Sequence, residues 1–215
     1  MSAPTEPFWE AAFRADRKPF GPPSTEILEL LERLPRRARV LDLGCGDGRN
    51  ALPLARAGHA VTAVDRSRAA LESLRRAAIR ESPGTDSDRP LGIQLVHADV
   101  ARVTPSGEYE LIIAHGVLHL LLPEDRDGLI RRIRRHTRAG GWNVLAVFTR
   151  SIPPPDDMAH LCRGLLDDGE LSRGYADWHI ELDRRYVLQD EHPGGVRHRH
   201  AINKIVARCP AVPRA

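Results

Sequence analysis

The chain has 215 residues, 41% of them hydrophobic and 28% charged, with a formal net charge of +3. That length suits one ordinary domain with a buried core, and the composition is that of a soluble globular protein. No run reaches the roughly 18 apolar residues of a membrane span, and residues 1–7 lack the basic start and apolar centre of a secretory signal.

The three cysteines, Cys45, Cys162 and Cys209, are far apart and odd in number, which predicts reduced thiols in a cytoplasm and no disulfide framework. Nearly all the positive charge is arginine; Lys18 and Lys204 are the lysines. The densest run, 131–135, is interleaved with Ile130 and Ile133 and reads as the solvated face of an amphipathic helix, with an anion or nucleic-acid patch as the alternative. No nucleic-acid or membrane partner is expected. His192, His198 and His200 gather near the end of the chain, but no Cys/His spacing matches a structural zinc site, and no metal is expected.

Residues 1–23 are Pro-rich and carry Phe8, Trp9, Phe13 and Phe20. Residues 24–34 predict a helix, with Ser24 as N-cap, Ile27, Leu30, Leu31 and Leu34 at helical spacing, and Pro35 as its stop. A regular alternation follows: strands at 39–43, 60–64, 93–96, 110–114 and 142–148, and helices at 48–57, 67–80 and 123–138. Gly58 closes the first of these helices, and Gly140-Gly141 the last. Such alternation predicts βαβ units and a mainly parallel sheet with right-handed crossovers. Residues 81–92 read as a surface loop. Pro153, Pro154 and Pro155 then break the rhythm. A short helix is expected within 167–176. Two β-rich runs, 178–189 and 197–207, read as an antiparallel hairpin joined through Glu191-His192-Pro193-Gly194-Gly195.

Chemistry concentrates in Val40-Leu41-Asp42-Leu43-Gly44-Cys45-Gly46-Asp47-Gly48. An apolar strand runs into a glycine turn, and a helix follows whose first amides are free; small residues let a ligand approach the backbone. The spacing is G-x-G-x-G, against the G-x-G-x-x-G of a dinucleotide site. Asp65 ends the second strand, where a carboxylate can accept both hydroxyls of a ribose. Asp99 follows the third. Alone, each of these aspartates reads equally as a cap or turn residue.

In register with three strands, they resemble motif I and its companions in the class I S-adenosylmethionine (SAM)-dependent methyltransferases. The resemblance extends over residues 38–208. It implies a doubly wound, seven-stranded, mostly parallel sheet of order 3-2-1-4-5-7-6 with a C-terminal antiparallel hairpin, behind a helical N-terminal extension. One domain is implied, made of an N-terminal cap over 1–38, SAM-binding units over 39–150, and a substrate loop with hairpin over 151–208. SAM is the implied cofactor. Asp42 is assigned to its ammonium group, Asp65 to its ribose and Asp99 to the adenine side. Gly44, Gly46, Gly48, Arg49, Asn50, Arg66, Val100 and His115 complete the implied cofactor set.

A narrower resemblance is carried by Gly48-Arg49-Asn50, Phe20-Gly21-Pro22-Pro23-Ser24, Gly169-Glu170-Leu171, Tyr175-x-x-Trp178 and the run 192–208. These are similar to the tellurite-resistance (TehB-type) and related thiol methyltransferases. The loop 151–166 and the shortened hairpin turn depart from that pattern. The narrower group implies a small-molecule acceptor with a soft S, Se or Te nucleophile; a tailoring O-, N- or S-methyltransferase of secondary metabolism is the alternative, and a non-catalytic SAM-binding regulator a third reading. A monomer or homodimer is expected.

For catalysis, His119, His192 and Arg197 are the candidates, with Arg199 beside them. His119 follows the fourth strand and reads as a base or substrate contact, or as a packing histidine. The group's resemblance puts His192 and Arg197 near the substrate pocket; as bare sequence they are solvated hairpin residues. Trp9 and Phe20 either cap the cofactor cleft or pack the first helix. Cys45 reads as a small core filler.

Overall fold

The computed structural model describes residues 6–82, 89–192 and 196–211, without the side chains of Asp157, His192 and Val196. Two short helices, α1 (Phe8–Arg14) and α2 (Thr25–Leu31), precede the first strand, β1 (Arg39–Leu43). Then come α3 (Ala51–Arg56), β2 (Ala60–Asp65), α4 (Arg68–Glu81), β3 (Gln94–His97), β4 (Tyr109–His115), α5 (Pro123–Arg135) and β5 (Thr137–Phe148). The chain finishes with α6 (Asp156–Ala159), α7 (Glu170–Arg173), β6 (His179–His192) and β7 (Val196–Arg208).

The seven strands form one sheet of order β3-β2-β1-β4-β5-β7-β6, the order that the family resemblance implies. β1 to β5 pair in parallel, and β7 runs antiparallel to both β5 and β6. The pleat sends alternate residues to opposite faces. Val40, Leu111, Ile113, Val144 and Val206 meet Ile27, Leu30, Leu54, Leu74 and Ala78 on one side. Leu41, Ile112, Leu145 and Ile205 meet Leu129, Ile133, Leu171, Tyr175 and Trp178 on the other. Strands covered on both faces must be apolar throughout, which is why β4 reads Leu-Ile-Ile-Ala without a polar break.

Three departures from expectation have a visible local cause. The helix predicted from residue 48 begins at Ala51, because Gly46 and Gly48 hold left-handed φ values of 54° and 86° and wind the chain through turns first. β5 begins at Thr137, ahead of Gly140-Gly141; Thr137 pairs with Tyr109, and an irregularity there resets the register before Leu111 meets Trp142. One turn of helix, α6, follows Pro155 directly, with the proline as its N-cap. The arginine-rich face of α5 is also more than a solvated surface. Arg132 donates to the Ala101 carbonyl, and Arg134 to Gly174 and Asp177. Tyr175 and Trp178 pack edge to face in the second core, and the Tyr175 hydroxyl donates to Asn143 at 2.9 Å. No described helix is long and apolar enough to cross a membrane.

The parallel strands all end on one edge of the sheet. That edge receives Leu43, Asp65, His97, His115 and Phe148 and the loops beyond them, with the winding direction reversing between β1 and β4. Ligands of open α/β sheets bind in that crevice.

Candidate active site

The glycine turn is built on β1. Past Leu43, the amides of Gly44 and Cys45 both donate to the Val64 carbonyl, at 2.8 and 3.0 Å, so the turn is stitched to the end of β2. Gly46 donates to Asp65 Oδ2 at 2.9 Å, and Ser67 donates to Asp65 Oδ1 at 2.8 Å. Asp65 is thereby fixed in orientation while each oxygen keeps a free lone pair. Burial raises its carboxyl above the usual range, opposed by those backbone donors. Gly48 serves packing, since a Cβ there would run into the Leu74 side chain. Cys45 is buried and its thiol is pushed well up by burial, in keeping with a core filler.

Asp42 is the unusual group. It is 2% exposed, and its Oδ2 is buried with no hydrogen-bond partner among the described residues. Burial pushes its carboxyl up to about 7; Asp65 adds to the rise and Arg49 opposes it. On the same face of the sheet, His115 accepts from Arg49 through Nδ1 at 2.9 Å, in the tautomer that leaves the guanidinium as donor. Its proton then sits on Nε2, which is also buried without a hydrogen-bond partner. Burial, then Arg49 and Lys204, hold His115 down at about 3, so it stays neutral. An unmatched acceptor and an unmatched donor therefore lie on adjacent strands at the ligand edge. Unsatisfied buried polar atoms are costly, and they gather where a ligand completes them.

The N-terminal segment covers this turn. Phe8, Trp9, Phe13 and Phe20 form one aromatic cluster. Phe13, 2% exposed, brings its ring to 3.4 Å from where a Cβ on Gly46 would stand. Glu10 accepts from the Ser67 hydroxyl at 2.9 Å, and Asp16 accepts from Ser73 at 2.6 Å, fastening α1 to α4. Arg49 donates to the Phe20 carbonyl at 2.6 Å. Asn50 accepts from the Ser24 amide at 3.1 Å, so in this structure it ties the cap to the turn. Ser24 in turn donates to Glu26, which pairs with Lys204 of β7 at 2.9 Å. Trp9 and Phe20 thus belong to the cap's packing, while Phe13 closes on the turn. Phe13 and the Glu26–Lys204 pair were not singled out from the sequence; no local pattern marks contacts between segments so far apart.

The remaining predicted cofactor residues follow the ends of β2 and β3. Arg66 is exposed, with its carbonyl 3.0 Å from His97 Nε2. Asp99 is exposed and accepts from the Ala101 amide at 2.9 Å, the geometry of a turn aspartate. Val100 is buried in the second core.

Among the residues predicted for catalysis, His119 is 2% exposed and stacks on Phe148, with ring centroids 4.0 Å apart. Its Nδ1 accepts from the Phe148 amide at 3.3 Å, and burial, with His200 adding to it, holds it down at about 3. Nδ1 being taken, the proton is on Nε2; His119 is built as a hydrogen-bond donor, and a general base is the weaker reading. Arg197 is strongly exposed and pairs with Glu191 at 3.0 Å. Strand alternation sets it on the hairpin face opposite His198 and His200. The side chain of His192 lies outside the described residues; its backbone ends β6 opposite Val196.

Residues 40–141 match the family of methyltransferase domains. In Haemophilus influenzae, the "Probable S-adenosyl-L-methionine-dependent methyltransferase TehB" is 29% identical over 142 residues, which cover 65% of this chain and 46% of that protein. The crystal structure of TehB from that organism superposes with a TM-score of 0.73 at 22% identity, covering 86% of this chain and 62% of that one. Residues 40–141 are a class I SAM-dependent methyltransferase domain. A second relative, the 2-heptyl-1-hydroxyquinolin-4(1H)-one methyltransferase of Mycobacteroides abscessus, is 30% identical over 138 residues, 63% of this chain and 57% of that protein. The chain spans about half the length of the curated relatives it matches.

Proposed function

We propose that the whole protein transfers a methyl group from SAM to a small-molecule acceptor bearing a soft nucleophile, a thiolate or a reduced selenium or tellurium species. The partnerless Oδ2 of buried Asp42 carries the cofactor assignment. A cationic ammonium group is the ligand chemistry that such a carboxylate lacks, and ribose hydroxyls suit the lone pairs left on Asp65. The Gly44–Gly46 turn offers backbone rather than side chain at the point of approach. Arg49 and Asn50 hold the turn and the cap; Arg66, just past β2, and Asp99 and Val100, just past β3, are the candidates for the adenine side.

When bound, SAM supplies an already activated methyl group, so the protein's work is placement. Holding nucleophile and methyl in line is worth up to roughly 7–11 kcal/mol. The cap excludes water from the turn, which strengthens the electrostatics around Asp42. His119, neutral and donating through Nε2, can orient an anionic acceptor but is poorly placed to deprotonate an alcohol. A thiol with a pKa near 8.5 reaches its reactive anion near neutral pH without a strong base. His192 and Arg197 remain candidates for holding that anion at the hairpin.

A second reading, a tailoring methyltransferase acting on a hydroxylated heteroaromatic scaffold, is favoured by the 30% identity to the hydroxyquinolone methyltransferase. The two separate in one assay: purified protein, SAM, and a panel of small thiols, selenide, tellurite, phenols, hydroxyquinolones and amines, with release of S-adenosylhomocysteine as readout. Faster turnover of the thiols or of the selenium and tellurium species is expected. Turnover of phenols or hydroxyquinolones alone would establish the second reading. SAM binding with no turnover of any acceptor would leave a SAM-binding regulator. Gly46→Val is a separate test of the cofactor site: its branched side chain stands at the turn and against Phe13, and a folded protein without measurable SAM affinity by calorimetry is expected.

A further inference from the structure

We propose that Asp190, His198 and His200 form a site for a divalent transition-metal ion on the β6–β7 hairpin. The hairpin register pairs Asp190 with His198 and Leu188 with His200, and alternation along β7 brings both histidines to the same face as Asp190. One ligand atom from each of the three lies within 4.8 Å of the other two. Ligands about 2.0–2.2 Å from a tetrahedral zinc-like ion stand about 3.3 Å apart, so side-chain rotation alone closes the set.

The site is partly organised in advance. His200 is 3% exposed, and its ring stacks on Phe148 with centroids 4.1 Å apart. His198 meets His200 edge to face at 4.7 Å, so the two imidazoles approach a common point from different directions. Two imidazoles and one carboxylate suit Zn²⁺, Co²⁺, Ni²⁺ or Fe²⁺; Mg²⁺ and Ca²⁺ prefer all-oxygen shells. Three protein ligands leave at least one coordination position open, the arrangement of sites that bind substrate. The neighbouring cations point away: Arg197 pairs with Glu191 on the opposite face, and Arg199 alternates to that face as well.

Position gives the site its role. Phe148 ends β5 and pairs with Ile202, and the Thr149 amide donates to the Ala201 carbonyl at 2.8 Å. His200 and His198 therefore lie just beyond the ligand edge of the sheet, joined to His119 through the Phe148 stack. An ion there would hold the donor atom of an acceptor, a thiolate or a chelating hydroxyl, through its open position. That role rests on the methyl-transfer reading above; the metal site itself does not. The sequence hides it because the spacing, D-x7-H-x-H, spans a turn and matches no local metal motif.

The test uses the full chain without a polyhistidine tag, titrated with Co²⁺ and followed by d–d absorption and calorimetry. One equivalent is expected to bind, with an absorption band that Zn²⁺ displaces. His198→Gln should abolish the band, and Asp190→Asn should weaken binding at least tenfold. His160→Gln, at an exposed histidine elsewhere, should leave it unchanged. Circular dichroism and SAM affinity are followed for each variant; both histidine substitutions avoid the buried His200, so the fold should persist. No binding at millimolar Co²⁺, or binding that survives His198→Gln together with Asp190→Asn, overturns the site. If Co²⁺ binds as expected but no acceptor is methylated, the metal site stands and the methyl-transfer reading fails.

Discussion

Asp42 is folded against its own preference. Its carboxyl stands near 7 in the fold against an ordinary 3.8, so the folded chain binds this proton more tightly than the unfolded chain does. A raised carboxylate costs stability: nothing below about pH 4, progressively more as pH rises from 4 to 7, and the full amount above. At about 1.4 kcal/mol per unit, three units set an upper bound of about 4 kcal/mol. Asp42→Asn is therefore expected to raise Tm at pH 8 in the absence of SAM, with the difference shrinking towards pH 4, while SAM affinity collapses. An unchanged Tm at pH 8 would place the carboxylate in contact with water. The same proton sets the binding profile: a cationic ligand selects ionised Asp42, so SAM affinity measured by calorimetry should climb with pH up to about 7 and level off above. At this scale the sequence was most legible where a side chain ends a strand. Asp42, Gly46 and Asp65 fall where the strand frame puts them. Asp99, in the same frame, accepts the amide two residues on, as Asp65 does from Ser67, but Asp65 is also held by the Gly46 amide of the glycine turn, a contact that no local frame predicts. Phe13 and Lys204 were illegible because each acquires its role from a segment far away in the chain.

At the scale of elements, the cap is held by a buried ionic knot between α2 and β7. Burial by itself would push Glu26 up; hydrogen bonds from Ser24 and Lys204 outweigh it and hold the carboxyl down at about 2. A depressed carboxylate stabilises the fold above its unfolded value near 4.5, and that contribution is lost as pH falls from 4.5 through 2. Lys204→Met should leave Glu26 with the half-exposed Arg184, 3.4 Å from Oε1, as its remaining cation, and cost up to about 3 kcal/mol in urea unfolding. Adding Glu26→Gln should recover most of the loss. Additive losses in the double variant would mean that the pair is not coupled. Strand β1 was legible to the residue because its apolar run is bounded by Arg39 and the first glycine. The start of β5 was not: Gly140-Gly141 is a chain-stop signal, yet Thr137 already pairs with Tyr109 across the register shift. Sheet pairing overrides a local breaker when the neighbouring strand is already in place.

For the whole molecule, the alternation of apolar strands and amphipathic helices implied a doubly wound sheet. The order of its strands came from family resemblance, since periodicity carries no information about which strand lies beside which. Both faces are covered, and every parallel strand delivers its end to one edge. The hairpin extends that edge, carrying Asp190, His198 and His200 beyond Phe148. The convergence of His119, Phe148, His198 and His200 was the least legible level, because no sequence window spans these residues.

The central position of β1 has a consequence for biosynthesis. Its partners are β2 on one side and β4 on the other, with Val40 opposite Leu111. As the chain leaves the ribosome at about 5–20 residues per second, the second edge of β1 waits several seconds for β4. Through that interval an apolar strand with unpaired amides and carbonyls is open to any other nascent chain. Fragments ending near residue 100 are therefore expected to accumulate in the insoluble fraction, whereas chains extended through β7 should not; soluble, monomeric fragments of that length would show that β1 is shielded by its helices before β4 arrives.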